Sequence, residues 1–385
     1  MTNILTIKNL VTNFYTYEGV VKALNKVSFH VRHGSTFGLV GESGCGKSVT
    51  VRSIMQIVQA PGVIESGEIV FSPDPENDTD SIDLLKQDER FMQDFRGNQI
   101  SMIFQEPNAA LNPIMTIGEQ IAESYIFHRK KLIIERILDR GPLGTNPFPG
   151  ITVNPMLKPL YHMALKNPDA AFLKVIKKIP FLKNWDRGIL KTAVAKSVEL
   201  IGTLGIPNPE RIVHQYPHNL SGGMKQRVVI AIALASEPVL LIADEATSNL
   251  DVTVQAQILG LLNNLKKNKV ISSILLITHD LGVVAETCDR VGVMYAGNLC
   301  EAGNVRQIFE KPRHPYTKAL LDSVPKVHQK GDLTSIAGNV PDLVNPPPGC
   351  RFHPRCGHAM PQCSEQFPKS TRIDEDHTVA CYLYA

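Results

Sequence analysis

The run Gly41-Glu-Ser-Gly-Cys-Gly-Lys47-Ser48 fits the pattern G-x-x-x-x-G-K-[ST], and its chemistry is phosphate binding. Gly41, Gly44 and Gly46 let the backbone curl until its N–H groups point at phosphate oxygens. Ser43, Cys45 and Val49 belong to the same cradle. Lys47 would reach the β- and γ-phosphates of a nucleoside triphosphate, and Ser48 would ligate Mg²⁺. A helix beginning near Lys47 adds the positive end of its dipole. Far along the chain, the apolar run Val239–Ala243 leads into Asp244-Glu245. Two carboxylates at the end of a buried strand are costly unless a cation meets them. Mg²⁺ would do so, with Asp244 as its partner and Glu245 as general base on an attacking water. The chemistry these residues imply together is ATP hydrolysis.

Such groups must be held by a scaffold, and the sequence suggests which. Thr36–Val40, Ile100–Phe104, Val239–Ala243 and Ser272–Thr278 are short apolar runs, each followed or closed by polar residues. Continuous apolar strands alternating with helices indicate a parallel sheet covered on both faces. Ligands then gather at the carboxyl ends of the strands. Residues 111–215 are expected to be helical, with Val194, Val198 and Ile201 at the i, i+4, i+7 spacing of one helix face.

The chain has 385 residues, 43% apolar and 20% charged, which suits two or three globular domains. A net charge of +3 does not by itself imply nucleic acid. Met1–Leu10 has no signal-peptide core, and Val228–Ala235 falls far short of the roughly 20 apolar residues of a membrane helix. A soluble or peripheral protein facing the cytoplasm is expected. Between His128 and Thr192 there are 13 Lys/Arg against 4 Asp/Glu, a strongly basic stretch. Pro341–Pro348 is a proline-rich linker, followed by four of the seven cysteines. Clustered cysteines in a cytosolic protein suggest metal more than disulfides.

Leu220-Ser-Gly-Gly-Met-Lys-Gln-Arg227 closely resembles the signature motif of ABC ATPases. The phosphate loop, the signature and Asp-Glu follow in that family's order over nearly the whole chain. The resemblance implies an α/β P-loop NTPase core (1–110 and 216–305) with an N-terminal antiparallel β subdomain. It also implies an inserted helical subdomain (111–215, with the basic insertion at about 128–192) and a small Cys-rich C-terminal domain (306–385). By position, Phe14 matches the aromatic that stacks on adenine, with Tyr15 and Tyr17 close by. Gln105 matches a Mg²⁺ and water sensor, Asn249-Leu-Asp251 the D-loop, and His279 the switch histidine that touches the γ-phosphate. Ser221, Gly222 and Gly223 would act in trans, on ATP held by a partner's loop, so a partner chain is required. Ala246, Asn249 and Met224 depart from the usual residues, but none removes a charge or ligand.

Ser101–Pro107, Leu111–Pro113, Asp280–Val284, Met294–Gly297 and Pro312–Tyr316 resemble the oligopeptide/dipeptide permease branch. Such subunits energise import of peptides, and in some members sugars or nickel. The implied partners are a homologous second ATPase in a heterodimer, two permease subunits and an extracytoplasmic binding protein, at the cytoplasmic face of the membrane. Cys350, Cys356, Cys363 and Cys381 offer four thiolates, which suit a [4Fe–4S] cluster or Zn²⁺. Their spacing chooses neither; the resemblance favours [4Fe–4S], with reduced, packed cysteines as the remaining reading. Asp169–Trp185 mixes lysines with apolar residues and could lie on anionic lipid, grip a permease loop, or be a solvated elaboration. The rival function is a soluble ABC ATPase acting on nucleic acid or ribosomes, supported by the basic insertion. One set of motifs and no room for a long coiled coil weigh against it.

Overall fold

A computed structural model describes residues 2–74, 81–139, 157–166, 185–246, 250–324 and 336–385. The chain divides into two units, Met1–Gln105 with Val239–Ser248 and Leu262–Ala385, and Glu106–Pro238 with Asn249–Leu261.

In the first unit, two long strands, β1 (Asn3–Thr16) and β2 (Gly19–Arg32), pair antiparallel, and β4 (Gly62–Phe71) pairs with the other edge of β1. With β5 (Ile82–Asp83) they form a four-stranded sheet in the order β2-β1-β4-β5. The second sheet has eight strands. Four of them, β3 (Thr36–Val40), β8 (Ser273–Ile277), β7 (Leu240–Asp244) and the edge strand β6 (Ile100–Ile103), run parallel in that order and are buried. These are the four apolar runs of the sequence, and burial on both faces explains why they do not alternate. β9 (Arg290–Tyr295) pairs parallel with β3 and antiparallel with β10 (Asn298–Asn304). Ile4, Leu5, Ile7, Phe29 and Phe71 from the first sheet and Leu39, Ile242 and Leu275 from the second pack into one core. The helix Lys47–Ile54 adds Val51 and Ile54 to that core and is tied to β1 by the buried hydroxyl pair Thr12–Ser53 at 3.0 Å.

The C-terminal residues belong to this first unit. β12 (His377–Val379) pairs with β10, and β11 (Thr371–Asp374) pairs with β12. A buried hydrogen bond pins β12: His377 Nε2 lies 2.7 Å from Glu301 Oε1, and Glu301 also accepts the amides of Arg313 and His314. The four tail cysteines converge on one small cavity of about 10 Å³, too small for more than a single water. The expected metal cluster is not supported, because among the described residues no group of three or more His, Cys, Asp or Glu is placed to hold a metal ion. The physical reason is local packing. Cys350 N–H donates to Cys363 O at 2.8 Å, and Cys363 Sγ accepts the Met360 amide at 3.5 Å. Burial pushes the Cys350 thiol up to about 11 and raises Cys356 and Cys381. The [4Fe–4S] expectation is therefore corrected to free cysteines packed around a small cavity with Phe352, Met360, Pro368 and three histidines.

The second unit is helical. Ile117–Asp139 packs on Arg187–Thr203, Lys158–Lys166 and Gly222–Leu234, and kinks at Arg129, whose guanidinium bonds Ser236 O. On Arg187–Thr203 the fully buried row is Ile189, Ala193, Ser197 and Ile201; Val194 and Val198 are only half-buried. Small residues, which a hydrophobic spacing count overlooks, make the close contact there. Most of Asp169–Trp185 lies outside the described residues. Trp185 is described, and it is buried beside Tyr161, whose hydroxyl donates to Trp185 O at 2.8 Å. Among the described residues no helix is long and apolar enough to cross a membrane.

Two imidazoles of the first unit give the fold a pH dependence. Burial, with help from Arg290 and Arg32, lowers the His30 pKa to about 4, and burial lowers His314 to about 4, from 6.5. Both rings accept hydrogen bonds as neutral bases, His30 Nε2 from Arg290 and His314 Nδ1 from the Tyr316 amide. The unfolded chain takes up these protons near pH 6.5 and the folded chain only near 4. Stability should fall as pH drops through that window and stay flat just above it. For Glu301, burial acts to raise the pKa, but the bonds from His377 and the two amides outweigh it, so stabilisation is lost below 4.5 in the same direction. Thermal unfolding of the full chain checks this: Tm should hold above pH 6.5 and decline from there to pH 4.5, and a constant Tm would contradict it.

Candidate functional site

The P-loop follows β3 directly. Gly41, Gly44 and Gly46 have φ of 152°, 76° and 102°, conformations open to glycine. At Gly46 a Cβ would come within 2.9 Å of Ala23 O and Leu24 Cδ2, so the loop's close approach to β2 needs glycine twice over. Ser43 and Gly44 are exposed, whereas Cys45 is buried and Val49 packs against the core. Cys45 and Val49 therefore turn their side chains to the interior.

Lys47 is buried at 5% exposure, yet its ammonium donates to carbonyls, Gly41 O at 2.8 Å and Glu42 O at 3.1 Å, and to Cys45 Sγ at 3.8 Å. A buried cation with carbonyl partners is set to take an anion. Ser48 Oγ donates to Asp244 Oδ1 at 3.1 Å, which brings together the two side chains expected at Mg²⁺. Burial raises the Asp244 pKa, and the Glu245 charge adds to this, while the Ser48 bond opposes it. A cation at Asp244 would reverse that balance. The donor set, a hydroxyl, a carboxylate and an amide oxygen from Gln105, suits the hard oxygen preference of Mg²⁺.

Glu245 lies just past the end of β7 with φ 48°, a strained conformation for a non-glycine residue and one found at active sites. Its amide donates to Ile277 O at 3.0 Å, which fixes the turn. Its carboxylate accepts Gln105 Nε2 at 2.8 Å and lies 3.5 Å from His279 Nδ1. The carboxyl ends of three adjacent strands, β6, β7 and β8, thus deliver Gln105, Glu245 and His279 to one place. His279 is 65% exposed, so its ring is accessible to a ligand. Phe14 is half-buried near the end of β1 and packs over Gly62, where an added Cβ would meet its ring at 2.6 Å. Tyr15 is held by Glu65 at 2.5 Å, and Tyr17 is 97% exposed.

The second unit carries the remaining expected residues. Ser221 begins the 13-residue helix Gly222–Leu234, is exposed together with Gly222, and makes no side-chain capping bond. Leu220 anchors the turn in the interior, and Gly223 is packed so that a Cβ would meet Val254 at 2.8 Å. Asp251 caps the next helix, accepting the Val254 amide at 2.9 Å. Asn249 lies outside the described residues.

Sequence reasoning missed the outer wall of the P-loop. Glu42 N–H donates to Tyr316 Oη at 3.0 Å, and Arg355 holds the Glu42 carboxylate at 2.8 Å. Pro312–Tyr316 and Pro354-Arg-Cys356 mark a family branch in the sequence, but nothing in their spacing says that they touch this loop.

Known proteins resemble this chain in sequence and in fold. The family model described as ABC transporter matches residues 24–248, and the one described as oligopeptide/dipeptide transporter, C-terminal region, matches residues 300–363. The dipeptide transport ATP-binding protein DppD of Bacillus subtilis is 40% identical over 386 residues, spanning 100% of this chain and 95% of that protein. The oligopeptide transport ATP-binding protein OppD of the same species is 42% identical, spanning 100% of this chain and 89% of that protein. Among solved structures, the ATP-binding cassette MJ0796, a dimer bound to ADP and Pi, superposes with a TM-score of 0.55 at 21% identity, covering 78% of this chain and 99% of its own. The cassette cbiO1 of Clostridium perfringens gives a TM-score of 0.53 at 21% identity, covering 81% of this chain and 92% of its own. These two support the fold.

Proposed function

The chain belongs to the ABC transporter ATPases, in their oligopeptide/dipeptide transport branch, and from that premise we propose that it powers import of di- or oligopeptides by hydrolysing ATP at the P-loop. The observation that carries the site assignment is the convergence of Gln105 and His279 on the Glu245 carboxylate, within 2.8 and 3.5 Å. Lys47 and the loop amides hold the β- and γ-phosphates, and Phe14 supports adenine. Ser48, Asp244 and Gln105 hold Mg²⁺, which supplies charge neutralisation at the phosphates. Glu245 takes the proton of the attacking water, Gln105 orients that water, and His279 senses the γ-phosphate.

Ser221, Gly222, Gly223 and Asp251 complete the site of a homologous partner ATPase in a heterodimer. Two permease subunits and an extracytoplasmic binding protein supply the path and the cargo, and the ATPase sits peripherally at the cytoplasmic face. Residues 300–363, which include Cys350, Cys356 and Cys363 but not Cys381, match the oligopeptide/dipeptide transporter C-terminal region, which supports peptides over nucleic acid as the purpose of hydrolysis. The test is uptake of a radiolabelled tripeptide by cells lacking this chain. Restoration by the parent and not by Lys47→Ala is expected. Peptide uptake that is indifferent to the chain, with loss of oligosaccharide or nickel uptake instead, would contradict the cargo.

A further inference from the structure

Glu42, the second residue of the P-loop, is held at three points from outside or across the loop. Its amide donates to Tyr316 Oη at 3.0 Å. Its carboxylate receives Arg355 Nη1 at 2.8 Å and Nη2 at 3.3 Å. Its carbonyl, beside that of Gly41, holds the Lys47 ammonium at 3.1 Å. The position is one that the phosphate-binding pattern leaves free, so the pattern explains none of these contacts.

Arg355 is itself braced. Nη1 donates to Tyr295 Oη at 3.2 Å, Nε to Ala337 O at 2.8 Å and Nη2 to Ile336 O at 3.1 Å. Its side chain is 7% exposed and that of Glu42 23%, so solvent screens the pair weakly. The rings of Tyr295, Tyr316 and Phe352 lie 4.6 to 5.3 Å apart and back both contacts. Arg351 ties the same tail segment to Lys22 O at 2.9 Å and to Ala296 O.

A loop that receives a polyanion is a poor place for a bare carboxylate, because like charges at close range in a partly dry site repel strongly. A neighbouring guanidinium with bidentate geometry cancels that charge and fixes its direction. The Glu42 carbonyl also sets where Lys47 rests, so a shift of Glu42 moves the cation that phosphate must meet.

We propose that Arg355 and Tyr316 are positioning residues for nucleotide: through Glu42 the C-terminal tail neutralises and orients the P-loop and so sets its affinity for ATP. The proposal rests on the P-loop being the ATP site. Neither residue touches phosphate; both act through Glu42.

The test is equilibrium binding of Mg-ATP and of adenosine to the full chain, with thermal unfolding of each variant. Arg355→Gln is expected to weaken ATP binding about tenfold and to leave adenosine binding unchanged. Tyr316→Phe, which removes the acceptor for the Glu42 amide, should weaken ATP about threefold. The double variant Arg355→Gln with Glu42→Gln should return to within about twofold of the parent, since the uncompensated charge is gone. A purely structural role would lower Tm and leave the preference for ATP over adenosine intact, which overturns the proposal. So would a double variant as weak as Arg355→Gln alone. Should Arg355→Gln not fold, Tyr316→Phe decides, and parent-level ATP affinity there overturns it. Lys47→Ala separates the two readings: unaltered ATP binding in that variant defeats the P-loop assignment, whereas its loss alongside an indifferent Arg355→Gln defeats only the role of the tail.

Discussion

Glu245→Gln is expected to lower ATP turnover by about a thousandfold while changing ATP affinity by less than about threefold. The substitution preserves shape. An amide oxygen at the same position still accepts the Gln105 Nε2 hydrogen bond seen at 2.8 Å, so the loop that carries residue 245 at φ 48° need not move. What is lost is basicity. A neutral amide does not accept the proton of the attacking water, and the hydrolytic step loses its general base. Lys47, Ser48 and Asp244 are untouched, so binding of the triphosphate and Mg²⁺ persists. Steady-state phosphate release against ATP concentration checks this. A fall in kcat with constant ATP affinity fits the assigned role, and a rise in KM with unchanged kcat does not.

Lys47→Ala is the complementary case and should weaken Mg-ATP binding about a hundredfold. In the structure its ammonium is buried and partnered by the Gly41 and Glu42 carbonyls rather than by a carboxylate. A phosphate oxygen is a much stronger partner than a carbonyl, and the exchange favours ATP. Alanine removes the charge and leaves a small void lined by polar backbone. Adenosine affinity should not change, because the contacts to the base lie elsewhere. ATP affinity within about threefold of the parent would contradict the role given to Lys47.

How far the sequence reveals all this differs by region, for physical reasons. The P-loop, Asp244-Glu245 and the four buried parallel strands are legible because each depends on local rules: glycine where φ is positive, apolar residues where both sheet faces are covered, carboxylates where a strand ends. The convergence of Gln105, Glu245 and His279 follows once β6, β7 and β8 are adjacent, but that strand order is a tertiary fact. Glu42 and Arg355 are 313 residues apart, and no periodicity links them. The cysteine tail misleads for a related reason. Four thiols in sequence suggest a shared ligand, yet here they pack with Phe352, Met360 and Pro368 around a space of about 10 Å³. Composition counts donors, whereas only the fold decides whether they face a common centre at metal distance. The buried row of Arg187–Thr203 shows the same limit on a smaller scale, since Ala193 and Ser197 make a close helix contact that hydrophobicity does not flag.

The central claim is that Glu245 performs the hydrolytic step on ATP held by the P-loop and closed by a partner ATPase. The most direct measurement is the identity of the nucleotide retained by the Glu245→Gln protein, isolated with its partner ATPase after incubation with Mg-ATP. The account predicts intact ATP trapped in a stable dimer. Recovery of ADP, formed at the parent rate, would contradict it.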